Sequence, residues 1–304
     1  MIRVDVVSGF LGVGKTTLIK KILKACCDEK VVLIENEFGE IGIDGELIKD
    51  EAFKVYELSN GCLCCTMKYD FVDLVDNIIN ECNPERILIE PTGVNILSEI
   101  ISVLKSKRLK DKCQINSLIT VLDCESYLEH IDVFGTFFTD QIENANILML
   151  SKVQLVNDET IEKIIDSVRR LNKVSTINRS PWDDLSDSDI KNIIGIKNKH
   201  KTRIDDLLFS KNVSHTNDNI ESMSIEVSRK FTEEALGNVL KELKSPKCGN
   251  IIRAKGFVNS FDGYLEFSYS SGKTNIFKYS GIKDGKVTII GLNLDNKVLK
   301  ELFN

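Results

Sequence analysis

The chain has 304 residues, 42% hydrophobic and 28% charged, with 40 Lys and Arg against 46 Asp and Glu for a net charge of −6. This composition excludes a mainly disordered or fibrous chain, and the mild acidity leaves no basic face for nucleic acid. No run approaches the ~18 uninterrupted apolar residues of a membrane span, and a Gly- and Lys-containing stretch from Gly9 stands where a secretory h-region would sit, so a soluble cytoplasmic protein is expected.

Short runs rich in Val, Ile and Leu alternate with amphipathic stretches up to about residue 180. Residues 4–8, 31–35, 54–58, 86–90, 118–123, 147–151 and 174–177 read as strands, several of them apolar throughout as strands buried on both faces are. Residues 15–26, 71–81, 96–104 and 159–171 have helical spacing. This alternation predicts an α/β domain over residues 1–180, a mostly parallel sheet with helices on both faces. Residues 181–219 are rich in Asp, Ser, Asn and Lys and read as a polar linker. Its basic stretch IKNKHKTR is read as a solvated face, against an anionic-ligand site. From residue 220 the order is strand (223–227), helix (232–243), strands at 251–258, 264–269, 275–279 and 287–291, and a closing helix (294–303). This predicts a smaller C-terminal α+β domain over residues 220–304.

The segment Gly9-Phe10-Leu11-Gly12-Val13-Gly14-Lys15-Thr16 satisfies G-x-x-x-x-G-K-[ST], with a strand before it and a helix after. The glycines let backbone N–H groups turn inward around phosphate oxygens, and the helix N-terminus adds partial positive charge. Gly12, Val13, Gly14, Lys15, Thr16 and Thr17 are therefore the expected nucleotide-binding residues. Lys15 would reach the β- and γ-phosphates, and the Thr16 hydroxyl would ligate Mg²⁺. A glycine-rich turn that binds nothing is the competing reading. Glu90 closes the strand RILIE and precedes Pro91-Thr92-Gly93. A carboxylate at that strand end can hold Mg²⁺ through water, and Gly93 would let the backbone approach the γ-phosphate, although many strand-end Glu residues only face solvent. Lys15 and Glu90 are the candidate catalytic residues.

Ser151-Lys152-Val153-Gln154 follows a strand where GTPases place Asn/Thr-Lys-x-Asp, making Ser151 and Lys152 candidate nucleotide contacts. Gln154 stands in the Asp position. Its amide has one acceptor and one donor group and cannot mimic a carboxylate, which leaves ATP as well as GTP open.

Nine cysteines and three histidines make any metal site sulfur- and carboxylate-based. Cys62, Cys64 and Cys65 lie within Ser59-Asn60-Gly61-Cys62-Leu63-Cys64-Cys65. Three thiolates so close suit Zn²⁺ or another borderline ion. A redox pair and buried packing cysteines are the alternatives. Glu35-Asn36-Glu37-Phe38-Gly39-Glu40-Ile41-Gly42-Ile43-Asp44-Gly45 reads either as a solvated acidic loop or as a switch segment, with Glu37 among carboxylates that help bind metal.

Taken together, GFLGVGKTTL, ENEFGEIGID, SNGCLCC, ILIEPTG and the strand before SKVQL resemble the CobW-like family of P-loop GTPases, and IIRAKGFV resembles that family's second domain. The resemblance implies slow Mg²⁺-dependent GTP hydrolysis coupled to binding and delivery of a transition metal, Zn²⁺ or Co²⁺. Cys62, Cys64 and Cys65 match the family's metal motif, and Glu90 to Gly93 its E-x-x-G. The implied partners are GTP and a client metalloprotein, with neither nucleic acid nor membrane and with room for a homodimer. Two departures stand out: Gln154 replaces the acidic residue of the guanine motif, and a histidine-rich tract is absent, which argues against bulk metal storage. No Arg or Gln stands out as a built-in catalytic group, so slow intrinsic turnover is expected. A nucleotide-switched adaptor of a client metalloenzyme or corrinoid protein is the competing reading. A small-molecule kinase would share the loop but leave the thiols unexplained.

Overall fold

Strands of uninterrupted Val, Ile and Leu cannot leave either face in water, and here they assemble into a parallel sheet flanked by helices. The computed structural model describes residues 1–10, 12–35, 53–57, 68–91, 96–133, 135–196, 220–270, 272–279 and 285–304. The chain divides into two compact units, Met1–Ser214 and His215–Asn304.

The first unit runs β1 (Ile2–Gly9), α1 (Lys15–Ala25), β2 (Val31–Glu35), β3 (Phe53–Glu57), α2 (Lys68–Cys82), β4 (Arg86–Glu90), α3 (Leu97–Leu104) and β5 (Cys113–Asp123). It continues with α4 (Tyr127–Val133), α5 (Gly135–Glu143), β6 (Ile147–Ser151), α6 (Asp158–Leu171), β7 (Thr176–Asn178) and α7 (Asp187–Ile194). The seven strands lie in the order β3-β2-β4-β1-β5-β6-β7, every pairing parallel. This is the expected α/β architecture. After β4 the chain crosses β1 and adds β5, β6 and β7 on the other side, so β1 ends at a topological switch point, where open α/β sheets bind ligands. All five residues of β2 and of β6 are buried. Phe71, Val75 and Ile78 of α2 and Leu97, Ile100 and Leu104 of α3 share one core cluster with Val4, Val6, Ile87 and Ile89 of the sheet.

A polar network is sealed into the amino-terminal half of this sheet. Asp5, fully buried, accepts hydrogen bonds from Arg86, from Ser117 and from Asn116 Nδ2 (2.7 Å). Arg86 also donates to Glu29 at 2.6 Å, and Asn116 donates to the carbonyl of Ile194 at the end of α7 (2.9 Å).

The structure adds α4, α5, α7 and a short strand to the sequence reading. Tyr127 to Glu143 is aromatic and β-branched with a glycine at 135, a poor helical composition rescued by burying Tyr127, Phe137, Phe138 and Ile142. Residues 181–196, within the segment expected to be a polar linker, form a one-turn helix (Trp182–Asp184) and α7. Only Ile190 and Ile194 of α7 are buried, so its composition reads as linker, yet Ser186 and Asp189 form a reciprocal capping box. The last strand of the sheet is Thr176–Asn178 rather than 174–177. The Asn172 side chain accepts from the N–H groups of Val174 and Ser175, which keeps these residues in a turn with Val174 51% exposed.

The second unit runs β8 (Ile220–Glu226), β9 (Lys230–Phe231), α8 (Glu233–Glu242), β10 (Asn250–Ser260), β11 (Gly263–Ser270), β12 (Lys273–Tyr279), β13 (Lys286–Leu292) and α9 (Asn296–Phe303). Its order β12-β11-β10-β13-β8 is antiparallel, and β9 pairs with β10 in parallel. Here burial alternates, as in β13, where Val287, Ile289 and Gly291 point inward. Leu236 and Leu240 of α8 and Leu299 and Phe303 of α9 cover the inner face, and Phe303 stacks on Phe267 at 5.9 Å. Thr232 and Asp295 cap the two helices with their side chains. No helix among the described residues is long and apolar enough to cross a membrane.

Candidate functional site

The chain leaves β1 through Gly9 at φ 140°, where a Cβ would lie 2.6 Å from the carbonyl oxygen of Val121 on the adjacent strand. A side chain there would force β1 and β5 apart, so this glycine is set by close packing as well as by φ. Gly12 and Gly14 also have positive φ, 75° and 103°. Between them Val13 is buried, which pins the loop's middle to the core. Phe10 anchors its start: the ring is fully buried, 4.6 Å from the ring of His130 and about equally in contact with Phe137 and Phe138. The aromatic residues of α4 and α5 are therefore the underside of the loop.

Gly14 is the N-cap of α1 and has no side chain to cap it, and the first turn, Lys15-Thr16-Thr17, contains no acidic residue. The N–H groups of that turn thus present unopposed partial positive charge toward the loop. Lys15 is 7% exposed; its Nζ donates to the carbonyl of Phe10 (3.0 Å) and lies 3.9 Å from Glu90 Oε1. Thr16 is half-buried and Thr17 exposed. Glu90 ends β4 opposite Glu35, the last residue of β2, which is buried. The structure thus gathers Gly12, Val13, Gly14, Lys15, Thr16, Thr17 and Glu90 at the carboxyl ends of β1 and β4. Beyond Pro91, α3 starts where Ser98 N donates to Asp140 Oδ2 of α5 (3.0 Å). Burial pushes the Asp140 carboxyl up from its ordinary range, against the hydrogen bonds from Ser98.

Two strands along from β1, Ser151 closes β6 and Lys152 follows it. The Ser151 hydroxyl turns inward to the carbonyl of Leu122 (3.3 Å), and Lys152 takes a left-handed backbone, φ 57°. Its ammonium is 2.5 Å from Asp123 Oδ2 and 3.7 Å from Glu125. Gln154, in the one-turn helix Val153–Leu155, is exposed. His130 is buried beside this pair, and burial pushes its pKa down to about 4, with Asp123 opposing and Lys152 assisting the shift.

Sequence reading did not single out Asp123, His130 or Trp182. Asp123 carries the same signal as Glu90, an acid closing an apolar strand. His130 has none beyond the rarity of histidine. Trp182, the chain's single tryptophan, lies against Gly14: a Cβ on that glycine would be 3.4 Å from its ring. Its placement depends on the turn after β7, which the polar composition conceals.

Cys62, Cys64, Cys65, Glu37 and Gly93 lie outside the described residues, and among the described residues no group of three or more His, Cys, Asp or Glu could hold a metal ion. The six described cysteines behave differently from a ligand cluster. Five are buried, and burial pushes Cys26 and Cys113 up to about 11 and Cys124 up to about 12. Such thiols stay protonated at neutral pH and pack as small apolar groups.

Comparison with known proteins agrees with this layout. The CobW/HypB/UreG nucleotide-binding domain matches residues 3–179, and the cobalamin synthesis protein cobW C-terminal domain matches residues 220–304. The zinc-regulated GTPase metalloprotein activator 1 of Dictyostelium discoideum is 29% identical over 298 residues, covering 84% of this chain and 62% of that protein. The zinc chaperone YjiA of Escherichia coli K12 is 33% identical over 177 residues, 56% of this chain and 55% of that one. The zinc chaperone CobW of Pseudomonas aeruginosa is 29% identical over 192 residues, 53% of this chain and 51% of that one. The chain thus spans between half and two thirds of the length of these relatives. The crystal structure of Zn(II)-bound YjiA GTPase from E. coli superposes with a TM-score of 0.46 at 22% identity, covering 99% of this chain and 98% of that one. By its nucleotide-binding domain, more than half of its length, the chain belongs to the CobW/HypB/UreG family.

Proposed function

We propose that the chain is a slow, Mg²⁺-dependent GTPase that couples its nucleotide state to the binding of a transition metal, zinc or cobalt, and to its transfer to a client protein. The observation that carries the reading is the phosphate loop, in which Lys15 lies beside Glu90 on an α1 N-terminus that has neither a capping side chain nor an acid. Anionic phosphate oxygens replace the Phe10 carbonyl as partner of the Lys15 ammonium, and the first-turn N–H groups of α1 complete the cradle. The Thr16 hydroxyl and, through water, the Glu90 carboxylate are oxygen donors that fit a hard cation. Thr16 and Glu90 would hold Mg²⁺, which would supply charge neutralisation to the triphosphate. Gly93 and the acidic loop carrying Glu37 sense the γ-phosphate, and Cys62, Cys64 and Cys65 hold the metal as cargo. The relatives named zinc chaperones support zinc as that cargo.

The test is the zinc affinity of the reduced protein, measured by chelator competition without nucleotide and with Mg²⁺ plus a non-hydrolysable GTP analogue. Coupling appears as a shift of at least ~10-fold, about 1.4 kcal/mol, that disappears in Cys64→Ser. Zinc and cobalt affinities that ignore nucleotide would reject metal transfer. The name of the Dictyostelium relative, a metalloprotein activator, favours the second reading in that case: a nucleotide-switched adaptor whose client binding survives Cys64→Ser.

A further inference from the structure

The loop after β6 carries an observation that reaches past nucleotide hydrolysis to the base. Resting on the nucleotide-binding reading above, we infer that this site does not select the 2-amino group of guanine, and that 6-oxopurine nucleoside triphosphates lacking it, with hydrogen or oxygen at C2, bind at least as well as GTP.

Guanine presents two donors on the edge that a GTPase reads, N1–H and the C2 amino group. A carboxylate answers both with two acceptor oxygens. Gln154 occupies that position, itself exposed, on the one-turn helix Val153–Leu155 immediately after Lys152. Its amide offers one carbonyl oxygen and one NH₂. The oxygen can take N1–H, which leaves the NH₂ facing the guanine amino group, donor against donor. Hypoxanthine has only hydrogen at C2 and removes that conflict. Xanthine has a carbonyl there and matches the amide completely, N1–H to oxygen and C2 oxygen to NH₂.

Four acceptor-bearing side chains at the ends of β5 and β7 and on the loops after β5 and β6 have other partners. The carboxylates after β5, Asp123 and Glu125, face the Lys152 ammonium at 2.5 and 3.7 Å. Ser151 turns its hydroxyl inward to Leu122. Asn157 and Asn178 spend their side-chain carbonyls on backbone N–H groups, of Thr160 and Ser180. Lys152, held by Asp123 and in a left-handed backbone conformation, keeps its stem at the head of the turn, where it can cover a base of either kind.

The experiment is competition by GTP, ITP and XTP, with Mg²⁺, against a ribose-labelled fluorescent GDP on the full chain. Wild type, Gln154→Asp and Lys15→Ala are compared; Gln154 is exposed, so its replacement leaves the core intact. For the wild type, ITP and XTP should each bind as tightly as GTP or more tightly. In Gln154→Asp, GTP should gain ~10-fold or more over both ITP and XTP, the ordinary size of one well-placed bidentate contact. A wild-type preference for GTP over ITP of ~10-fold or more overturns the inference alone, since the phosphate loop would still bind. So does a Gln154→Asp variant with unchanged ratios. Labelled GDP that fails to bind the wild type, or binds Lys15→Ala equally well, overturns the nucleotide-binding reading and this inference with it.

Discussion

The two ends of the parallel sheet treat charge in opposite ways. Toward the strand amino termini, Asp5 and Arg86 are 0% and 3% exposed, and the Asp5 carboxylate is met by Arg86, Asn116 and Ser117. At the carboxyl termini, Lys15 rests on a carbonyl of its own loop and 3.9 Å from Glu90. Both sets come from the same stretch of sequence, ionisable residues set among the apolar residues of β1 and β4, with Lys15 opening the helix that follows β1. A carboxylate with both oxygens answered by the fold is part of the fold. A charge that leans on its own backbone, beside a helix N-terminus with no acid, can exchange that partner for a ligand. Position along the strand separates the two: Asp5 stands inside β1, whereas Glu90 and Asp123 are each the last residue of theirs.

The sharpest way to break this contrast is to remove Asp5. Asp5→Ala leaves Arg86 with Glu29, removes the carboxylate partner of Ser117 and leaves Asn116 only its bond to Ile194, so the first unit should lose about 3–5 kcal/mol. Calorimetry should show its transition falling by roughly 6–12 °C or more, while the nucleotide dissociation constant of the folded protein stays put. A nucleotide affinity that falls with the stability would mean that the two ends are not separate.

His130 tests the carboxyl end. Burial holds its folded pKa near 4 against an ordinary value of 6.5, so the unfolded chain takes up the proton first as pH falls. Its contribution to stability is complete above pH 6.5, declines from there to about pH 4, and is constant below. Between pH 7.5 and pH 5 the loss from this one group is about 2 kcal/mol. Urea titrations at the two values should show it, and His130→Phe, which keeps a ring against Phe10 and Phe138, should remove that share of the pH dependence. An unchanged dependence would place the acid sensitivity in groups other than His130, and not in Asp140, whose carboxyl is pushed up by burial so that the folded chain takes up its proton first as pH falls.

What the sequence discloses follows the same physics. Strands buried on both faces must be apolar throughout, so β2, β4 and β6 are found to the residue. The phosphate loop is legible because each glycine answers a backbone demand, as at Gly9 against Val121. The aromatic bed beneath it is not, because Phe10, His130 and Phe138 meet only in three dimensions and lie on segments of poor helical propensity. Gln154 was legible by spacing, but the commitment of Asp123 and Glu125 to Lys152 required coordinates. Cys62, Cys64 and Cys65 stand on their sequence pattern.

The smallest effect tests the least legible element. α7 packs on α1, with Ile190 and Ile194 buried and Lys191 paired to Asp28 at 2.7 Å. Its few apolar residues could not define it by periodicity, so the information lies at its ends. Ser186 accepts from Asp189 N, Asp189 accepts from Ser186 N, and the terminal carbonyl of Ile194 is taken by Asn116. The Asn116 contact ties α7 to the Asp5 network, whereas the Ser186 cap belongs to α7 alone. Ser186→Ala should therefore cost only about 1 kcal/mol, and Ser186→Asn, which restores a capping oxygen, should recover most of it in the same urea titration. If Ser186→Ala instead cost as much as Asp5→Ala, the cap would be coupled to the buried network rather than local, and the Asp5/Ser186 double variant would fall short of the sum of its parts.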